Sequence, residues 1–150
     1  MGKTKRSKSG KIAVIVSRFN EKVSGGLLNG ALGYLREIEF EEKNISVFYC
    51  PGAFEIPLIA KHLCQTGKYC GIICLGAVIK GETAHFEYIS EAVTSGLVQL
   101  NLEFGIPLTF GVLTSYTEEQ AIMRSSDDQH NKGREAASAA VEMIKLLKEI

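Results

Sequence analysis

No stretch of the 150-residue chain approaches the roughly 20 consecutive apolar residues that a membrane-spanning helix needs, so no membrane partner is expected. Net charge is lacking too. The 17 Lys and Arg balance 17 Asp and Glu, and a formal charge of +0 gives no bulk attraction for nucleic acid. The dinucleotide fingerprint Gly-x-Gly-x-x-Gly is absent, as is a phosphate loop ending in Lys-Ser/Thr. The amino terminus is basic (Lys3, Lys5, Arg6, Lys8) but carries no apolar core of the secretory kind. Residues 1–10 are therefore expected to be a flexible basic tail, and residues 11–150 a single cytoplasmic domain. Cysteine is limited to Cys50, Cys64, Cys70 and Cys74. Without a secretory signal these should be reduced. Their spacing is too loose for a zinc site, so no metal is expected and buried, inert thiols are. Cys70 and Cys74 are expected on the same face of one strand. There is no internal repeat and no low-complexity linker.

What remains is an ordinary globular composition, 45% hydrophobic and 23% charged, arranged in alternation. β-branched, apolar stretches at 11–17, 45–50, 71–79 and 108–113 read as strands, nearly continuous in apolar residues as buried parallel strands are. Helical spacing lies between and after them. Residues 21–38 place Leu27, Leu28, Ala31, Leu35 and Ile38 on one face, with Asn20 as N-cap. A charged loop covers 40–44. A second helix opens around Ala53 to Pro57, where the missing Pro N–H is harmless, and closes near Gly67. A third follows 85, with Ile89, Ala92, Val93, Gly96, Leu97 and Leu100 recurring. A short helix within 114–126 has Thr117 and Gln120 in a capping-box arrangement. The last runs over 131–149, with Ala137, Ala140, Val141, Ile144 and Leu147 on its apolar face. Strands separated by helices predict an α/β fold: a three-layer α/β/α sandwich on a four-stranded parallel sheet, flavodoxin-like, with right-handed crossovers.

The chain is organised around residues 76–89, Gly-Ala-Val-Ile-Lys-Gly-Glu-Thr-Ala-His-Phe-Glu-Tyr-Ile. Here a buried strand turns at Gly81 into a helix. Ligands of open α/β sheets bind at the carboxyl ends of strands, and helix amino termini attract anions. Glu82, Thr83 and His85 sit at that junction. The other strand ends also carry side chains that packing does not demand: Phe19 and Asn20 after the first, Ala53, Phe54 and Glu55 after the second, Phe110, Thr114 and Ser115 on the fourth. Taken singly, each has a bland reading. Phe19 and Phe110 suit a core, His85 a solvated surface, Glu55 a helix dipole, and Arg124 and Lys132 a charged face. Together they point to a site for an anionic ligand.

Arg18-Phe19-Asn20, Pro51-Gly52-Ala53-Phe54-Glu55-Ile56-Pro57, Gly-Glu-Thr-Ala-His-Phe at 81–86, Phe110-Gly111-Val112-Leu113-Thr114 and Asn131-Lys132-Gly133-x-Glu135-Ala136-Ala137 together resemble the motif set of the lumazine synthases, in order and in spacing. The resemblance covers the chain from about Lys11 to its end. It implies a transferase of riboflavin biosynthesis. That enzyme condenses 5-amino-6-(D-ribitylamino)pyrimidine-2,4-dione with 3,4-dihydroxy-2-butanone 4-phosphate, gives 6,7-dimethyl-8-ribityllumazine and phosphate, and uses no metal or organic cofactor. By the same resemblance Phe19 stacks on the pyrimidine, and Ala53, Phe54 and Glu55 hold the ribityl chain. The backbone of Ala77, Val78 and Ile79 reads the pyrimidine edge, Glu82 and Thr83 form the phosphate turn, and His85 transfers protons. Phe110 and Arg124 come from a neighbouring subunit, Arg124 on the phosphate, with Asn20, Lys132 and Glu135 in support.

The implied partners are thus two small-molecule substrates and further copies of the chain, as a homopentamer that is either free or one of twelve in a 60-subunit shell. A helix after residue 85 with apolar residues on two faces (Val93 and Leu97 on one, Val98 and Leu102 on the other) also predicts an interface. The chain departs from the family at 125–130, Ser-Ser-Asp-Asp-Gln-His, where the family usually carries a Gly- and Lys-containing stretch. Two other classes of function fit the residues. One is a Schiff-base lyase or aldolase using Lys80 or Lys132, and the other a non-catalytic oligomeric shell or binding protein.

Overall fold

The computed structural model describes residues 10–150, so the basic residues at 3–8 lie outside it. Four parallel strands, β1 (Ile12–Ser17), β2 (Ile45–Cys50), β3 (Gly71–Ile79) and β4 (Leu108–Ser115), form one sheet in the order β2-β1-β3-β4. The helices are α1 (Glu21–Glu37), α2 (Ile56–Thr66), α3 (His85–Phe104), α4 (Glu118–Arg124) and α5 (Lys132–Glu149). Period-two alternation in β1 and β3 feeds two cores. Ala13, Ile15, Ile72 and Cys74 point to the face covered by α2 and α3, where they meet Ile56, Ala60, Val93 and Leu97. Ile12, Val14, Ile73 and Leu75 point to the other face, against Leu27, Ala31 and Leu35 of α1 and Ala136, Ala137 and Ala140 of α5. Burying each Val, Leu or Ile among them contributes about 1.5–3 kcal/mol. The result is the three-layer, flavodoxin-like sandwich expected, as a single domain.

α1 covers one face on the way out from β1 to β2, and α2 and α3 cover the other on the way back to β3 and β4. All crossovers therefore share one hand, and the chain reverses direction between β1 and β3. The helices stop for local reasons. α2 and α3 end at Gly67 (φ 67) and Gly105 (φ 63), left-handed positions that glycine adopts without a Cβ penalty. α1 and α5 are tied across their surface by Arg134, whose Nη2 donates to Glu37 Oε2 at 2.7 Å; this hydrogen bond holds the Glu37 carboxyl below its ordinary range.

Several local expectations need correcting. Asn20 occupies the N-cap position of α1 in a left-handed conformation (φ 60, ψ 65), and its side chain caps nothing. Its carbonyl is the acceptor instead, taking the Val23 and Ser24 N–H groups and the Ser24 hydroxyl. Ile38 follows α1 as its C-cap rather than lying on its buried face, and is 40% exposed. Ala92 is exposed on α3. The loop at 40–44 contains a 3-10 turn, Glu42–Asn44. Cys70 and Cys74 do not share a face. Cys70 precedes β3, donates through N–H and Sγ to the Lys11 carbonyl, and packs on the α1/α5 side, whereas Cys74 is in the α2/α3 core. The capping box at α4 is displaced on one side. Thr117 Oγ1 accepts from Gln120 N–H at 3.2 Å, but Gln120 Oε1 returns to Tyr116 N–H at 2.9 Å.

Candidate active site

The carboxyl ends of β1 and β2 are stitched together by backbone hydrogen bonds from Arg18 N–H to the Cys50 carbonyl (2.8 Å) and from Phe19 N–H to the Pro51 carbonyl (3.0 Å). The chain then leaves the sheet, and Phe19 stands 65% exposed. After β2 the 3-10 turn Ala53–Glu55 packs against β3 and α3, which buries Ala53 and leaves Phe54 and Glu55 at the surface. Burial raises the Cys50 thiol to about 11; the nearby Glu55 carboxylate adds to this and Arg18 opposes it. Cys50 is therefore a neutral packing group beneath this edge.

β3 outruns its inner neighbour. Pairing with β1 stops at Val16↔Leu75, while pairing with β4 continues through Ile79↔Ser115. Past Gly76, which Ser17 of β1 still flanks, no described strand lies on the β1 side of β3, at the point where the strand order reverses. Ala77 and Val78 are buried as side chains, so what this stretch offers to a ligand is backbone N–H and C=O. α3 begins just past the overhang. Its N-cap, Ala84, has no side-chain acceptor, and Thr83 Oγ1 takes only the His85 N–H, at 3.4 Å. The other first-turn donors open toward an anion. Glu82, Thr83 and His85 are all exposed there, and Lys80 is held by Glu87 at 3.6 Å.

A second group lines the outer edge of the sheet. Phe110, Thr114, Tyr116, Gln120, Arg124 and Lys132 surround an open cleft of about 380 Å³ along β4. Phe110 sits mid-strand, opposite Cys74, and is 46% exposed. Arg124 Nη1 donates to the Gln120 carbonyl at 3.2 Å, and Lys132 Nζ meets Glu135 Oε2 at 2.8 Å. Tyr116 connects the two groups: Phe86 of α3 lies 6.1 Å from its ring centroid and the Lys80 ammonium 5.6 Å above it.

The structure thus gathers Phe19, Asn20, Ala53, Phe54, Glu55, Ala77, Val78, Ile79, Glu82, Thr83 and His85 at the carboxyl edge of the sheet. Phe110, Arg124 and Lys132 line the β4 cleft, with Glu135 on Lys132. Sequence reasoning passed over Tyr116, whose only signal was an aromatic directly after a strand, and read Gln120 only as a capping residue of the short helix. The acids of the atypical 125–130 stretch do not line this cleft. Asp127 borders a groove on α1 with Asn29, Gly30 and Arg36. Among the described residues no three His, Cys, Asp or Glu side chains come together as a metal site, and no helix is long and apolar enough to cross a membrane.

A sequence profile described as 6,7-dimethyl-8-ribityllumazine synthase matches residues 9–148. The chain is 47% identical to the 6,7-dimethyl-8-ribityllumazine synthase of Chloroherpeton thalassium over 144 residues, covering 96% of this chain and 93% of that protein. It is 50% identical to 6,7-dimethyl-8-ribityllumazine synthase 1 of Caulobacter vibrioides, covering 93% and 92%. With the synthase of Coxiella burnetii it shares 49% identity, covering 93% of each.

Proposed function

The chain belongs to the 6,7-dimethyl-8-ribityllumazine synthase family, and we propose that it carries out the family's reaction with the residues of its sheet edge and of its β4 cleft. It is a transferase of riboflavin biosynthesis, joining 5-amino-6-(D-ribitylamino)pyrimidine-2,4-dione to 3,4-dihydroxy-2-butanone 4-phosphate with release of phosphate.

The observation that carries the site assignment is the overhang of β3. A flat heterocycle lying between Phe19 and the open backbone of Ala77, Val78 and Ile79 is read by peptide groups and stacked by one aromatic ring. Glu55, exposed on the neighbouring turn, accepts hydrogen bonds from the ribityl hydroxyls, and Ala53 and Phe54 bound that chain. The phosphate of the second substrate takes the uncapped start of α3 with Thr83, under Glu82. Its other ligand is Arg124 of an adjacent copy, which arrives with Phe110, and Lys132 and Glu135 flank it. Amine addition to the ketone, phosphate loss, tautomerisation and ring closure each move protons near neutral pH, where histidine titrates. His85, at the helix start, serves that step. Holding two substrates in register supplies much of the rest, since proximity is worth roughly 7–11 kcal/mol in favourable cases.

The site is completed between copies, so the working unit is an oligomer, which the family resemblance makes a homopentamer in the cytoplasm. α3 supports this with exposed Tyr88, Val98 and Leu102 opposite its buried Val93, Leu97 and Leu100. The ring either stands alone or joins eleven others in a 60-subunit shell. Residues 11–150 act as one domain and 1–10 as an appended tail. A Schiff-base reading is disfavoured: the Lys80 and Lys132 side chains are 45% and 43% exposed and paired to carboxylates, whereas such a lysine is activated by desolvation. Incubating the purified protein with both substrates and following lumazine fluorescence tests the reading. Product is expected, and its absence in an intact oligomer would favour a non-catalytic shell.

A further inference from the structure

Asn131 is 1% exposed, yet its side chain spends every polar atom. Its Oδ1 accepts the Gly133 N–H (2.9 Å) and the Arg134 N–H (3.1 Å), capping α5. Its Nδ2 donates to the Gly26 carbonyl of α1 (3.0 Å) and to the Ser126 carbonyl just past α4 (2.9 Å). A cap alone needs only an acceptor, which Ser, Thr or Asp would provide. Only an amide also supplies two donors from the same buried position. The surrounding backbone is shaped around this group. A Cβ at Gly30 would overlap the Asn131 amide, one at Gly26 would overlap the Ser125 carbonyl, and one at Gly133 would overlap the Leu27 carbonyl. Three glycines therefore let α1, the start of α5 and the segment after α4 approach to backbone contact, with the Asn131 amide at their junction.

The segment so fixed separates the two cations of the β4 cleft. Arg124 ends α4, Lys132 opens α5, and both line the cleft, whereas Asp127 between them borders the α1 groove. We propose that Asn131 is a positioning residue for the phosphate-bearing substrate: its two amide donors anchor residues 125–130 on α1 and so keep Arg124 and Lys132 on one cleft with the intervening acids outside it. This rests on the assignment of Arg124 to the phosphate. The amide touches no substrate and acts only through those two side chains.

The test is a steady-state comparison of Asn131→Asp and Asn131→Ser with the parent oligomer, varying each substrate in turn. Both replacements keep an acceptor for the α5 cap and lose the amide's pair of N–H donors; Ser, whose shorter side chain has a single O–H that cannot serve the cap and both carbonyls, does so without adding charge, and it decides the matter on the same readout should Asp fail to fold. KM for the phosphate substrate should rise about tenfold, with KM for the pyrimidine and kcat within about twofold of the parent. Unchanged KM values in a folded oligomer would overturn the proposal. So would a lower melting temperature with equal effects on both substrates, which marks a purely architectural role. Arg124→Ala run in parallel separates the levels. If it leaves the phosphate KM unchanged, the cleft assignment itself is wrong; if it raises that KM while the Asn131 variants do not, only the positioning role fails.

Discussion

Replacing Arg124 with Ala removes a guanidinium that has one structural commitment among the described residues, a 3.2 Å hydrogen bond to the Gln120 carbonyl one turn back on its own helix. That bond satisfies one of five N–H donors and leaves the remainder for a ligand. No described carboxylate pairs with the group, and it is exposed at the end of α4, so its loss should leave the fold unchanged. A hydrogen bond to a charged partner is worth about 1.5–3 kcal/mol, which corresponds to roughly tenfold to more than a hundredfold in affinity. The cleft is open to water, so the lower end applies, and KM for 3,4-dihydroxy-2-butanone 4-phosphate should rise on the order of tenfold. The pyrimidine has no reason to respond, because its contacts are placed on Phe19, Glu55 and the β3 overhang. Initial rates of lumazine formation, with one substrate saturating and the other varied, separate the two constants. Equal rises in both, or a rise in the pyrimidine constant alone, would refute the placement of phosphate on Arg124.

His85→Ala should lower kcat by up to about a hundredfold, the lower end of general acid–base catalysis, because water reaches an exposed position and replaces part of the function. Folding should survive, since the His85 N–H bond to Thr83 Oγ1 is a backbone one; circular dichroism and sedimentation check this, and an unchanged rate at neutral pH would remove His85 from the mechanism. Stability should fall between about pH 9 and 11, because burial raises the Cys50 and Cys64 thiols from 9.0 to about 11. The unfolded chain releases those protons first, so the contribution, about 2–3 kcal/mol per thiol, is present below 9 and lost as pH rises through 11; urea midpoints that stay constant over this window would contradict it. Leu102→Glu, at an 82% exposed position on α3, should be near-neutral for a lone subunit but break the oligomer; light scattering that still shows the parent mass would move the interface away from this face.

The strands and helices were legible because two periodicities were clean. β1 and β3 are apolar on both faces and alternate between two cores, while Val93, Leu97 and Leu100 mark a single inner face of α3. Capping chemistry was less legible. Asn20 has the composition of an N-cap, but its backbone is left-handed rather than in the extended conformation typical of a capping residue, and its side chain makes no cap hydrogen bond. Asn131 looks like an ordinary helix-starting residue in sequence. One of its two amide donations reaches Gly26, 105 residues earlier, and no local pattern reports that contact.

The candidate site was legible from topology in one half and only from the family resemblance in the other, for a physical reason. Residues at the ends of parallel strands share an edge by topology, so Phe19, Ala53, Phe54, Glu55, Glu82, Thr83 and His85 follow from strand assignment alone. The β4 group follows no such rule. Phe110 is in mid-strand, Arg124 at the end of one helix and Lys132 at the start of the next, and they meet only because β4 is an edge strand flanked by α4 and α5. An edge strand with a half-exposed phenylalanine and an open, cationic cleft beside it is an incomplete surface for a monomer. The same surface is what a neighbouring copy would use to close the first group's open side. The half-exposed Phe110 and the open cleft, rather than any gap between the two groups, which Tyr116 joins, thus argue for a site shared between chains.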